Sequence, residues 1–223
     1  MTIIMGLTYI GGAVIAADTL RHDAIDGLPA GKTDKTRVLS SRIVGAKAGF
    51  GPDADWVWDE VISSGISTIG PAEVASRLKV IGKAAYSQCK QESDRLWVED
   101  PGLYFLIAGL EPDNKPSIHW LNFKLDDFGG TQEIGCALSF GSRPATCENG
   151  VNHAKRLLHT KGDSELFLPC DTWVRNFTAD ERRYAQHAIG FPVNLNIVSP
   201  DRVSQYIIEM SGEPHPSALV RIG

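Results

Sequence analysis

The chain has 223 residues, 43% of them hydrophobic and 22% charged, which is ordinary globular usage and argues against a disordered or fibrous polypeptide. Its 27 acidic residues outweigh 22 basic ones for a formal charge of -5, and the Lys and Arg residues are scattered, so neither nucleic acid nor a membrane surface is an expected partner. Cys89, Cys136, Cys147 and Cys170 show neither CxxC spacing nor disulfide-framework density, which points to reduced thiols in a cytoplasmic protein with no metal site and no cofactor.

The length fits a single domain over residues 1–223. From Thr2 to Ala17 almost every residue is apolar or small, and Gly11-Gly12 divides the run into a hairpin whose strands should be covered on both faces. Arg21 to Lys32 is polar, contains Gly27, Pro29 and Gly31, and reads as a loop. Thr36 to Leu39 and Ile43 to Ala48 read as a second strand pair.

The period then changes. Val57, Trp58, Val61 and Ile62 follow Asp53 at helical spacing, and a second helix is expected from Pro71 towards Gln91. Leu103 to Leu110, Ser117 to Phe123 and Ile134 to Phe140 read as strands, with Asp126 to Gly130 as a turn. Helices are expected at Cys147 to His159 and Asp180 to Ile189, closing strands at Val193 to Val198 and Arg202 to Met210, and a short surface tail after Ser211. Segregated runs of strands and helices favour an α+β fold of two sheets between helix layers.

Three residues stand out chemically. Thr2 follows Met1, and loss of the methionine would leave a free α-amine with a reference pKa of about 7.7 to 8.0, able to take the proton of the hydroxyl on its own residue. Asp18 ends an apolar strand, where a carboxylate must be paired, hydrogen-bonded or wet. Lys35 heads the next strand, and beside Thr2 it would lower the proton affinity of the hydroxyl, with Asp18 holding it charged. The plainer reading makes Asp18 a turn cap and Lys35 a solvated surface residue. Gly49, after Ala46-Lys47-Ala48, can present its N–H to a developing oxyanion or simply form the turn before the helix.

Taken in order, Thr2-Ile3-Ile4, Gly12 to Thr19, Lys35 to Leu39 and Ala48 to Ala54 resemble the proteasome β-subunit family. The peptidase subunit of the bacterial two-component ATP-dependent protease looks closest. Phe140-Gly141-Ser142 is similar to the family's Gly-Ser element. The resemblance implies an N-terminal-nucleophile hydrolase with a four-layer αββα sandwich. Thr2 would be the nucleophile, Asp18 and Lys35 its tuning pair, Gly49 the oxyanion donor and Ser142 a supporting hydrogen-bonder. It also implies a threonine-type peptidase acting on peptides or unfolded protein, stacked homo-oligomeric rings and an ATPase ring partner. Thr19 and Lys47 would lie on the substrate path, Lys47 at the floor of the primary specificity pocket, where a cation favours acidic side chains.

The pattern departs in one place. The resemblance implies an aspartate and a serine just before a late glycine turn, whereas the corresponding stretch, Tyr184 to Phe191, has neither. His187 lies within it, but a lone helical histidine reads as a surface or core residue. Two other functions share the fold: a catalytically silent ring subunit, which need not carry Thr2, Asp18 and Lys35 together, and a small-molecule amidohydrolase, whose sites would not be enclosed.

Overall fold

A computed structural model describes residues 2–22, 28–49, 51–96, 102–141, 147–148, 150–152, 154, 167–185, 189–211 and 215–221. The apolar N-terminal run folds back on itself as β1 (Ile4–Tyr9) and β2 (Gly12–Asp18), every residue of both strands being buried. Alternation sorts their side chains between two environments. Ile3, Met5, Leu7, Val14 and Ala16 join a core cluster with Trp173, Val174 and Phe177, while Ile4, Ala13, Ile15 and Ala17 join another with Val44, Ala46, Leu106 and Ile118.

The chain next forms a small exposed hairpin, β3 (Leu20–His22) with β4 (Pro29–Lys32). This corrects the expected loop at Arg21 to Lys32. All four β4 residues are exposed, so the strand buries nothing and leaves no hydrophobic pattern to read. β5 (Thr36–Ser40) and β6 (Ile43–Gly49) follow, then α1 (Gly51–Ser63) and α2 (Pro71–Leu96). Lys47, one residue past Ala46 on the strand, lies across from the chain entering β5, its N–H donating to the Lys35 carbonyl at 2.9 Å.

β7 (Leu103–Leu110), β8 (Pro116–Asn122) and β9 (Asp127–Thr131) complete a five-stranded antiparallel sheet in the order β5-β6-β7-β8-β9. β9 occupies the stretch expected as a turn. Its Gly129 and Gly130 lie against the Trp120 and His119 rings of β8, which a Cβ would strike, so the strand packs through backbone and carries little apolar signal. β10 (Ala137–Phe140) starts three residues later than expected and pairs with β1.

Helical backbone at residues 147–148, 150–152 and 154 falls within the expected helix at Cys147 to His159, whose remainder lies outside the described residues. α3 (Phe167–Tyr184) replaces the helix expected at Asp180 to Ile189. Its buried stripe includes Thr178 and Glu181 as well as Trp173, Val174 and Phe177, and those polar members weaken the period. β11 (Val193–Ser199) and β12 (Arg202–Ile208) match expectation, but the tail forms β13 (His215–Arg221) on β12. Pro216 is tolerated because β13 is an edge strand of the six-stranded sheet β10-β1-β2-β11-β12-β13.

The result is a mixed α/β fold with mostly antiparallel sheets. One apolar cluster lies between the two large sheets, α3 covers the six-stranded sheet, and α1 and α2 cover the five-stranded one. Trp58 of α1 shows how closely a helix seats. A Cβ on Gly45 would lie 2.4 Å from its ring, and Phe105 meets that ring edge-on at a centroid distance of 4.9 Å. No helix among the described residues is long and apolar enough to cross a membrane. Because Trp58 is buried among aromatic and aliphatic neighbours, Trp58→Ala is expected to cost about 3–5 kcal/mol, read as a lower urea midpoint with a near-constant slope.

Candidate active site

Antiparallel pairing places the start of β1 and the end of β2 at one end of the six-stranded sheet, with Ile4 opposite Ala17. The entry to β5 and the exit of β6 reach the same region from the other sheet. There the Lys35 ammonium donates to the Asp18 carboxylate at 2.8 Å and to Thr2 Oγ1 at 3.0 Å. Of the two readings open at the sequence level, the solvated surface lysine is excluded: Lys35 is 6% exposed and Asp18 is fully buried.

Asp18 is satisfied from four segments. Besides Lys35, its Oδ1 accepts the Ile3 N–H at 3.0 Å, and its Oδ2 accepts those of Leu20 at 3.2 Å and Gly190 at 3.4 Å. A buried carboxylate with this many donors is held in place by them. Burial pushes the Lys35 ammonium below the usual lysine range, Asp18 opposes that by charge and hydrogen bond, and Lys47 across the strand pair adds to the lowering. A cationic donor on a hydroxyl oxygen favours loss of the hydroxyl proton.

Lys47 is also buried, and its ammonium pairs with Asp55 of α1. The cation expected at a pocket floor is thus already matched by an internal carboxylate. Thr19 is buried too, its hydroxyl donating to the Pro192 carbonyl at 2.8 Å. Gly49 ends β6 with a φ of 102°, and a Cβ there would sit 2.2 Å from the Gly102 carbonyl oxygen, so conformation and close approach both require glycine. Ser142 lies outside the described residues, as do Gln186 and His187.

Sequence reasoning missed Asp55, Gly190, Asp34 and Asn194. Asp34 Oδ1 accepts the Thr36 N–H, the Thr36 hydroxyl and the Asn194 side-chain amide, each at 2.8 Å. An Asp two residues before a hydrogen-bonded N–H is a recognisable turn signal, but its partner on β11 leaves no local trace.

No protein-family model matches the sequence, and no curated protein matches it. Among solved structures the fold is similar to that of an Anbu (Gly-1) mutant from Hyphomicrobium sp. strain MC1. The TM-score is 0.66 at 16% identity, covering 96% of this chain and 89% of that one. These findings correct the resemblance drawn from the motifs. Assignment to the proteasome β-subunit family, and to the peptidase subunit of the ATP-dependent protease in particular, has no support from any sequence match, while the structural likeness reported is to Anbu. The ground for an ATPase ring partner falls with it.

The lowered Lys35 pKa has a stability consequence of definite sign. The folded state binds this proton less tightly than an unfolded lysine at 10.5, so stability is lowest where both states are protonated and rises as pH climbs from the folded pKa towards 10.5. The unfolding free energy of the wild type minus that of Lys35→Met should therefore increase with pH as the unfolded value of 10.5 is approached from below. A flat or falling difference in pH-resolved denaturant titrations would count against it.

Proposed function

We propose that the protein is a threonine-type amide hydrolase acting on peptides, with the Thr2 hydroxyl as nucleophile once whatever precedes Thr2 has been removed. The observation that carries this reading is the contact of the Lys35 ammonium with Thr2 Oγ1 while Asp18 holds the same ammonium. A merely structural Lys–Asp pair has no need of a strand-leading hydroxyl at 3.0 Å.

In the proposed reaction the free α-amine of Thr2 takes the hydroxyl proton, directly or through one water, and Oγ1 attacks the substrate carbonyl carbon. Lys35 stabilises the oxygen as it loses its proton. The carbonyl oxygen becomes an oxyanion facing the Gly49 N–H, and loss of such a donor typically costs about 2.7–4 kcal/mol in a hydrolase. The Thr2 α-ammonium so formed gives its proton to the departing amine as the C–N bond breaks, leaving an ester on Thr2. Water, deprotonated by the freed Thr2 α-amine, attacks the ester carbonyl, and the Thr2 α-ammonium returns the proton to Oγ1 as the acid departs. Ser142 is assigned a supporting hydrogen bond, and Thr19 and Lys47 are assigned to the substrate path. With Lys47 matched by Asp55, an acidic substrate side chain would have to compete with that carboxylate.

The packing of helices outside two facing sheets supports a single domain with the four-layer αββα arrangement. A homo-oligomer, and a peptidase rather than a small-molecule amidase, belong to this proposal; the likeness to Anbu supports its fold.

Treatment with a peptide β-lactone followed by intact mass measurement tests the reading. One adduct per chain is expected on protein that begins at Thr2, a slower adduct for Thr2→Ser, and none for Thr2→Ala. Peptide amide hydrolysis by Thr2→Ala should fall at least about a thousandfold. Equal labelling of the wild type and Thr2→Ala, or no labelling of chains that begin at Thr2, would sink the proposal.

A further inference from the structure

Lysine reaches its partners through four rotatable bonds, so the place of its ammonium depends on how firmly its Cα is held. Just upstream, β4 is exposed along its whole length, and a backbone bond from the Thr33 N–H to the Thr19 carbonyl at 2.8 Å holds the chain before it enters β5. The next two residues are gripped by side chains of the opposite sheet. Asp18 at the end of β2 takes the Lys35 ammonium, and Asn194 on the adjacent strand β11 donates its amide to the neighbouring Asp34. The register places Asn194 opposite Ala17 and Val193 opposite Asp18, so the two cross-sheet links rise from neighbouring positions and land on consecutive residues. Within its own sheet, the Lys35 carbonyl accepts the Lys47 N–H, and Asp34 is closed onto Thr36 by two further bonds through the oxygen that receives Asn194.

We propose that Asn194 and Asp34 form a positioning clamp that sets the Lys35 ammonium against Thr2 Oγ1. The inference rests on the catalytic reading given above. Neither residue touches the reacting atoms; both act through the backbone that carries Lys35. Asp34 is exposed and Asn194 half-buried, and contacts so placed add little to global stability. The clamp therefore separates two quantities that a purely structural contact would move together. Its loss slows chemistry at Thr2 while the melting temperature barely changes.

The test compares the rate at which a peptide β-lactone modifies Thr2 in the full-length protein, at saturating and sub-saturating reagent. Asn194→Ala should lower the saturating rate about tenfold, with the half-saturating concentration within about twofold and thermal unfolding near the wild type. Asn194→Asp sets two carboxylates face to face and should be slower still. Should Asn194→Asp fail to fold, Asn194→Ala, which only trims a half-buried amide, carries the test.

Thr2→Ala and Lys35→Met separate the two levels of the argument. If neither slows labelling, the catalytic reading fails and the clamp with it. If both slow it while Asn194→Ala reacts at the wild-type rate, the clamp alone is overturned.

Discussion

The arrangement of this end of the molecule follows from the burial of one charge, the Asp18 carboxylate. A buried carboxylate is tolerated only where donors surround it, and the donors to Asp18 come from the lead-in to β1, the start of β3, the entry to β5 and the segment before β11. Three of these, at Ile3, Lys35 and Gly190, lie 15 to 172 residues away from Asp18 in sequence. Breaking such a pair from one side strands a charge in a dry environment and typically costs about 3–5 kcal/mol. The same demand for donors brings a lysine ammonium into a place where it also meets a hydroxyl.

Lys35 and Lys47 sit side by side across β5 and β6, and two buried ammonium groups at neighbouring positions repel. Each has its own carboxylate from a different direction, Asp18 from the facing sheet and Asp55 from the covering helix. α1 repeats the device one turn on, where Asp59 pairs with Arg37 of β5 at 2.7 Å. Charge is thereby balanced locally, in a protein whose overall excess is acidic. The α1 register that serves these pairs is the one that drops Trp58 over Gly45, so apolar packing and ion pairing agree on how the helix sits.

Much of this was legible in the sequence, for identifiable reasons. β1, β2, β6 and β7 announce themselves because two-sided burial makes them continuous apolar runs, and α1 and α2 because a single apolar face does. Elements that bury little or mixed surface were not legible. β4 packs against nothing, β9 substitutes glycine backbone for side chains, and α3 places Thr178 and Glu181 in its buried stripe. Thr2 could be singled out by its place after Met1, and Asp18 and Lys35 because each stands at the end of a recognisable strand. Their supports could not be, since Gly190 and Asn194 meet their partners across 172 and 160 residues of sequence. The motif likeness overstated kinship for a related reason: spacing between strand ends reflects the fold, which is shared far more widely than any one family's chemistry.

The exposed hairpin β3–β4 has a consequence for how such a molecule can vary. It leaves the body immediately after Asp18 and returns immediately before Lys35, and its base is closed by the Thr33 N–H donating to the Thr19 carbonyl at 2.8 Å. Two residues that must stay within hydrogen-bonding distance are thus joined by a segment whose length is free. The closed base separates the arm from the pair below it, and chain length itself carries only a small entropic penalty. Lengthening the chain between His22 and Pro29 would therefore leave the ammonium and its carboxylate where they are.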